Sequence, residues 1–113
     1  MAELLVDTDV CIDHLEGTAR MNPRRGRLAY SVVTRAELLS GPEHQHDVVR
    51  RLLSPMRELP IDRRVAERAA AVRRESGIRL PDALIAATAL VHDVALMTRN
   101  RRDFQRVPGL RLR

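Results

Sequence analysis

Lysine and tryptophan are absent from these 113 residues, and tyrosine and phenylalanine occur once each. With aromatics at 2%, stacking platforms for unpaired bases are nearly missing. Any nucleic-acid binding therefore has to rest on backbone and shape contacts. The single cysteine, Cys11, excludes an internal disulfide and half of a Cys-pair zinc site. His44 and His46 lie two apart and do not share a helix face, so structural zinc is not expected. No apolar run approaches the roughly 20 residues that cross a bilayer, and no membrane association is expected. Acids come early, at Glu3 and Asp7, where a secretion signal would place a basic stretch before an apolar one. No signal peptide is expected, and the expected location is cytoplasmic.

What is present fits a soluble, folded chain. Hydrophobic residues make up 44% and charged residues 31%, and the length suits one domain, residues 1–113, with one real core. The net charge is +5, and all 20 basic residues are arginine. Guanidinium forks match phosphate oxygens in pairs, so the bias suits a polyanion partner. A genome whose codons favour arginine produces the same bias.

Along the chain, Glu3 to Val6 predicts a short apolar strand running into Asp7, and Thr8 to Leu15 a short helix. Residues 17–26 read as a loop with a turn at Asn22-Pro23. Leu28 to Val33 predicts a second strand. Thr34, followed three residues later by Glu37, has capping-box form, for a helix stopping near Gly41-Pro42. Another helix is expected over His44 to Leu53, then a strand or connector over Glu58 to Ile61. Asp62 is placed to cap a helix reaching Gly77, with Val65, Ala69 and Val72 at helical spacing. Leu80-Pro81 opens a further helix, proline being suited to a first turn. Val94 to Thr98 predicts a strand, and Gly109 to Leu112 a possible last one. Strands alternate with helices, and the strands are continuous apolar runs. That pattern predicts an α/β domain with a parallel sheet covered on both faces.

Four acids fall at strand ends or helix starts, which in a parallel sheet tend to share one edge. Asp7 follows the first strand. Glu37 and Asp82 are expected in first turns of helices, and Asp103 follows the last main strand. Brought together, they would form an oxygen-rich pocket of the kind Mg²⁺ or Mn²⁺ takes. Each has an ordinary reading too. Glu37 fits a helix cap, Asp82 suits the positive end of a helix dipole, and Asp103 fits a turn. Asp7, an acid directly after an apolar strand, is poorly explained by packing.

Four stretches carry a resemblance. They are Leu5-Val6-Asp7-Thr8-Asp9-Val10, Ser31-Val32-Val33-Thr34-Arg35-Ala36-Glu37-Leu38, Leu80-Pro81-Asp82-Ala83-Leu84-Ile85-Ala86-Ala87-Thr88-Ala89 and Leu96-Met97-Thr98-Arg99-Asn100-Arg101-Arg102-Asp103-Phe104, with Pro108-Gly109-Leu110 after it. In order, spacing and strand–helix context they resemble the motifs of PIN-domain nucleases, closely those of the VapC-like toxins of bacterial toxin–antitoxin pairs. The third stretch is the most specific. The resemblance covers essentially the whole chain.

The resemblance implies a PIN-type three-layer α/β/α domain with a small central parallel sheet. It implies an endoribonuclease that uses Mg²⁺ or Mn²⁺, acts as a toxin on RNA and is inhibited by a VapB-like antitoxin. Carried onto this sequence, the catalytic set is Asp7, Glu37, Asp82 and Asp103, with Asp7 and Asp82 as direct metal ligands. Thr8, Thr98 and Asn100 would be supporting polar groups. Arg99, Arg101 and Arg102 would grip RNA, although a solvated loop explains them equally well. Position 9 departs from the family, with Asp9 where these toxins usually carry Asn. The extra carboxylate would join the metal site or raise a neighbour's pKa. The chain is also short for the family, around Gly41 to Arg57. A homodimer is plausible, with apolar stripes over Asp47 to Leu53 and Val65 to Val72, a pattern that also describes plain core. Asp7 and Asp9 after a strand also fit haloacid-dehalogenase-type phosphatases, but that chemistry commonly needs a later lysine, as does a response-regulator receiver. A non-catalytic PIN-like binding module is the remaining alternative.

Overall fold

The computed structural model describes residues 3–22 and 26–113. The turn expected at Asn22-Pro23 reaches outside them. Four strands, β1 (Glu3–Val6), β2 (Arg27–Ser31), β3 (Arg57–Leu59) and β4 (Ala95–Met97), form one sheet in the order β3-β2-β1-β4. Every pairing is parallel, which requires crossover connections. These are made by α1 (Thr8–Glu16), α2 (Val32–Leu39), α3 (His46–Leu53), α4 (Arg63–Ser76) and α5 (Leu80–His92); α6 (Arg101–Phe104) follows β4.

Successive strand residues point to opposite faces, so an unbroken apolar strand feeds two cores. Leu5, Ala29, Leu59 and Leu96 join Val65, Ala69 and Val72 of α4 and the alanines of α5. Val6, Leu28 and Tyr30 join Cys11, Leu38, Val49, Leu52 and Leu53 on the other face. Complete burial of a Leu, Ile or Phe side chain is worth roughly 1.5–3 kcal/mol, and Leu5, Leu96 and Phe104 are fully buried. Ala83, Ala86, Ala87 and Ala89 are likewise fully buried, which suits close packing of α5 on α4, since interaxial distance follows side-chain size. The stripes considered for a dimer are therefore core. Val65, Ala69 and Val72 face the sheet layer, as do Val49, Leu52 and Leu53; of the apolar residues of α3, Val48 is left exposed.

Helix ends follow the sequence closely in two places. Asp62 accepts from Val65 N at 2.9 Å, and α4 stops at Gly77 with φ +72°, a conformation that glycine adopts without Cβ strain. The boundaries differ in three others. The second strand ends at Ser31, not Val33, because the Ser31 hydroxyl accepts from Val33 N at 3.1 Å and caps α2. Thr34 is consequently inside the helix and caps nothing. The helix expected from His44 begins at His46, after a 3-10 turn over Glu43–Gln45. Gly109 to Leu112 contributes a single parallel bridge between Leu112 and Leu96. Phe104 anchors α6, a helix the sequence pattern did not reveal.

Candidate active site at the carboxyl edge of the sheet

All four strands run the same way, so their carboxyl ends share one edge. β1 delivers Asp7 there, with Asp7 N donating to Met97 O of β4 at 2.9 Å. Asp7 is also the cap of α1, its Oδ1 accepting from Thr8 N at 2.8 Å. Its Oδ2 accepts from the Thr98 hydroxyl at 2.7 Å. Thr98 in turn accepts from Asn100 N at 2.9 Å, which ties the loop after β4 to the acid.

A depression of about 160 Å³ opens here, lined by Asp7, Thr8, Asp9, Ile12, Glu37, Arg79, Asp82 and Asn100. It gathers segments remote in the chain. Glu37 arrives from α2, but from its last turn rather than its first. Its helix-cap reading falls, because Ser31 takes the cap. Instead Glu37 Oε1 accepts from the Thr8 hydroxyl at 2.7 Å. Thr8 Oγ1 also lies 2.9 Å from Thr34 Oγ1. A hydroxyl has one proton, and a carboxylate only accepts, so the order is Thr34 to Thr8 to Glu37. Thr34 is fully buried and supports the site from below, a role its sequence position gave no sign of.

Asp82 lies in the first turn of α5, as expected, and is 9% exposed. Arg79, one residue before that helix, holds its Nε 3.6 Å from Asp82 Oδ2. Asp103 stands back from the depression. Its Oδ2 accepts from Asn100 Nδ2 at 3.0 Å, and Asn100, nearer the strand end, lines the opening instead. Asp103 still acts on Asp82 through its charge. Asp9 lines the opening, with Thr98 Oγ1 3.5 Å from its Oδ2. That contact is weak, since the Thr98 proton is directed to Asp7.

Burial dominates the electrostatics. Asp7 is 4% exposed, and loss of water pushes its carboxyl up to about 7. The hydrogen bonds from Thr98 and Thr8 oppose this, and the negative charges of Asp9 and Asp82 reinforce it. Asp9 thus does what an extra acid was expected to do. Asp82 is raised as well, first by burial, with Arg79 opposing and Glu37 and Asp103 reinforcing. The Cys11 thiol is buried nearby and pushed up to about 12, by burial and then by Asp7 and Asp9. It is no nucleophile at neutral pH.

The three arginines after β4 do not converge on the depression. Arg99 turns away to Asp13, Nε to Oδ2 at 2.6 Å, and Asp13 is buried. Arg101 and Arg102 are exposed on α6. The cation in the lining is Arg79, whose position before Leu80-Pro81 carried no motif signal.

The oxygen-only donor set suits a hard divalent cation, with Asp7 and Asp82 the most desolvated members. In the present side-chain arrangement no three acidic, imidazole or thiol groups among the described residues converge on one cation position. Thr8 holds one oxygen of Glu37, and Arg79 faces Asp82.

Residues 4–110 match the family described as PIN domain. The chain is 39% identical over 109 residues to Ribonuclease VapC10 of Mycobacterium tuberculosis, covering 86% of this chain and 82% of that protein. Among solved structures it resembles a toxin–antitoxin complex from Klebsiella pneumoniae, at TM-score 0.78 and 35% identity over 95% of this chain and 94% of that one. It also resembles a DNA-bound VapBC from Salmonella typhimurium, at TM-score 0.89 and 27% identity over 100% and 98%.

Proposed function

Because this chain belongs to the PIN-domain family, we propose that it is a metal-dependent endoribonuclease and the toxin of a toxin–antitoxin pair. The observation that carries the reading is the meeting of Asp7, Asp9, Glu37 and Asp82 around one opening. The ribonuclease name of the Mycobacterium relative supports the reaction class. No helix among the described residues is long and apolar enough to cross a membrane; the proposed RNA substrate would be met in the cytoplasm.

Asp7 and Asp82 would hold Mg²⁺ or Mn²⁺, with Asp9 and Glu37 beside them. A cation bound there supplies a Lewis acid and offsets phosphate charge. The chain's own residues do the rest. Thr98 and Thr8 fix the Asp7 carboxylate by donating to both its oxygens. Thr34 and Thr8 orient Glu37 through one oxygen and leave its second free to accept a proton from an attacking water. Asn100 holds Asp103 close enough to add negative potential at Asp82.

The resemblance to a toxin–antitoxin complex supports a small antitoxin as partner. An acidic opening is best covered by a basic side chain, because an unpaired buried charge is costly. The haloacid-dehalogenase reading loses its basis with the family match.

The test is total RNA incubated with wild type and with Asp82→Ala, each with Mg²⁺ and with EDTA. Cleavage by wild type in Mg²⁺ alone is the expected pattern. Cleavage in EDTA, or equal cleavage by both proteins, would overturn the proposal.

A further inference from the structure

We propose that Arg79 binds a phosphate of the RNA strand at this site; the inference rests on the nuclease reading above. An opening lined by Asp7, Asp9, Glu37 and Asp82 repels a polyanion, so a cationic side chain at its rim favours the approach of a phosphate group. Among the described residues, Arg79 is the one cationic side chain in the lining. The arginines that the sequence offered for this task are elsewhere, Arg99 being held by the buried carboxylate of Asp13 at 2.6 Å.

Arg79 is both fixed at its base and free at its tip. Its neighbour Ile78 is 3% exposed, and Arg73 Nη1 donates to Ile78 O at 3.4 Å. Arg79 O accepts from Ala83 N at 2.9 Å as α5 begins, and Pro81 stiffens that turn. The Arg79 side chain makes no capping hydrogen bond and is 80% exposed, its contact with Asp82 being 3.6 Å. That is longer than a hydrogen bond, and a solvated pair of this kind is weak. The guanidinium can therefore leave Asp82 for a phosphate oxygen, where charge-assisted, forked hydrogen bonds are stronger. The start of α5 adds positive potential beside it. Were Asp82 to turn to a divalent cation, Arg79 would lose its one acidic contact among the described residues.

Arg79→Gln and Arg79→Lys separate this role from a structural one. With total RNA and Mn²⁺, Arg79→Gln is expected to raise KM about ten- to a hundred-fold. It should also reduce the slope of log(kcat/KM) against log salt by about one. Arg79→Lys should fall between Arg79→Gln and wild type, keeping the charge and losing the fork. Mn²⁺ affinity, measured calorimetrically without RNA, should be unchanged or higher in Arg79→Gln, since a positive charge leaves the acids. An unchanged KM and salt slope would overturn the inference. So would a fall in Mn²⁺ affinity parallel to the loss of activity, which would mean that Arg79 acts through the acids. If wild type binds RNA on filters in Mn²⁺ but does not cut it, the nuclease reading fails. The Arg79 inference is then decided by whether Arg79→Gln binds the same RNA about ten-fold or more weakly.

Discussion

The acidic depression at the carboxyl edge of the sheet measures about 160 Å³. The groove between α4 and α5 measures about 460 Å³, nearly three times as much. The larger one is lined by Arg64, Glu67, Arg68, Ala71, Leu90 and Val91. Its charged groups are exposed, so water already solvates them and nearby opposite charges gain little from each other. In the smaller one, Asp7 and Asp82 have lost most of their water, and like charges crowd them. Room alone does not make a site. The parallel topology makes this one, by delivering several acids to one edge and burying two of them there.

The contrast is broken most severely at Asp7. Asp7→Asn is expected to lower RNA cleavage about a thousand-fold or more, at the upper end of what one lost electrostatic group costs an enzyme. Asn caps a helix as well as Asp does, so α1 keeps its start. In EDTA the same change should stabilise the fold. Asp7 has its carboxyl raised from 3.8 to about 7, so the folded state binds this proton more tightly than the unfolded state. Stability is therefore lost as pH rises from about 4 to about 7, by roughly 4 kcal/mol once the carboxyl is ionised. Urea melts at pH 5 and pH 8 should show Asp7→Asn gaining more at pH 8. A larger gain at pH 5 would contradict the burial account of the site.

Phe104 tests how far the depression depends on the core behind it. It is fully buried, in the cluster that includes α4 and α5, and it anchors the turn bearing Asn100 and Asp103. Phe104→Ala should cost about 3–5 kcal/mol in a denaturant melt. It should also reduce cleavage well below the melting temperature, because Asn100 lines the opening. Full activity in the folded fraction would show that α6 is not needed to shape the site.

The parallel sheet and six of the residues that line the opening, Asp7, Thr8, Asp9, Glu37, Asp82 and Asn100, were legible in the sequence, for a specific reason. A strand buried on both faces is an unbroken apolar run, and an acid at its end, as at Asp7, stands out against it. Asp82 was equally visible behind Pro81. Glu37 was found, but its setting was misread. Thr34-to-Glu37 has the spacing of a capping box, and only the fold shows Ser31 capping the helix while Thr34 and Thr8 turn to Glu37. Arg79 and the Asp13–Arg99 pair were invisible, since each depends on which way a long side chain turns after the chain has folded. Spacing along the sequence carries no such information.

A smaller effect is expected at Thr98. Its hydroxyl donates to Asp7 Oδ2 at 2.7 Å and opposes the upward pull of burial. Thr98→Val keeps the shape and removes the donor. The Asp7 carboxyl should then titrate above its present value, read from carbon-13 carboxyl shifts in EDTA. A downward movement would show that the hydrogen bond favours the protonated acid.

The smallest effect should come from the roomier groove. Arg68 sits on the outer side of α4 with its side chain in water. Substitutions at such positions usually change stability by less than about 0.5 kcal/mol. Its charge can still steer RNA at long range, but at physiological ionic strength the field decays over about 8 Å. Arg68→Gln should therefore lower kcat/KM measurably at low salt and by less than about two-fold at 0.15 M salt. Arg79→Gln should show a deficit that shrinks with salt, as its lower salt slope requires, but stays well above two-fold at 0.15 M salt, because a direct phosphate contact is lost as well as a long-range charge. A ten-fold loss for Arg68→Gln at 0.15 M salt would bring the α4–α5 groove into the RNA path and end the division between the two depressions.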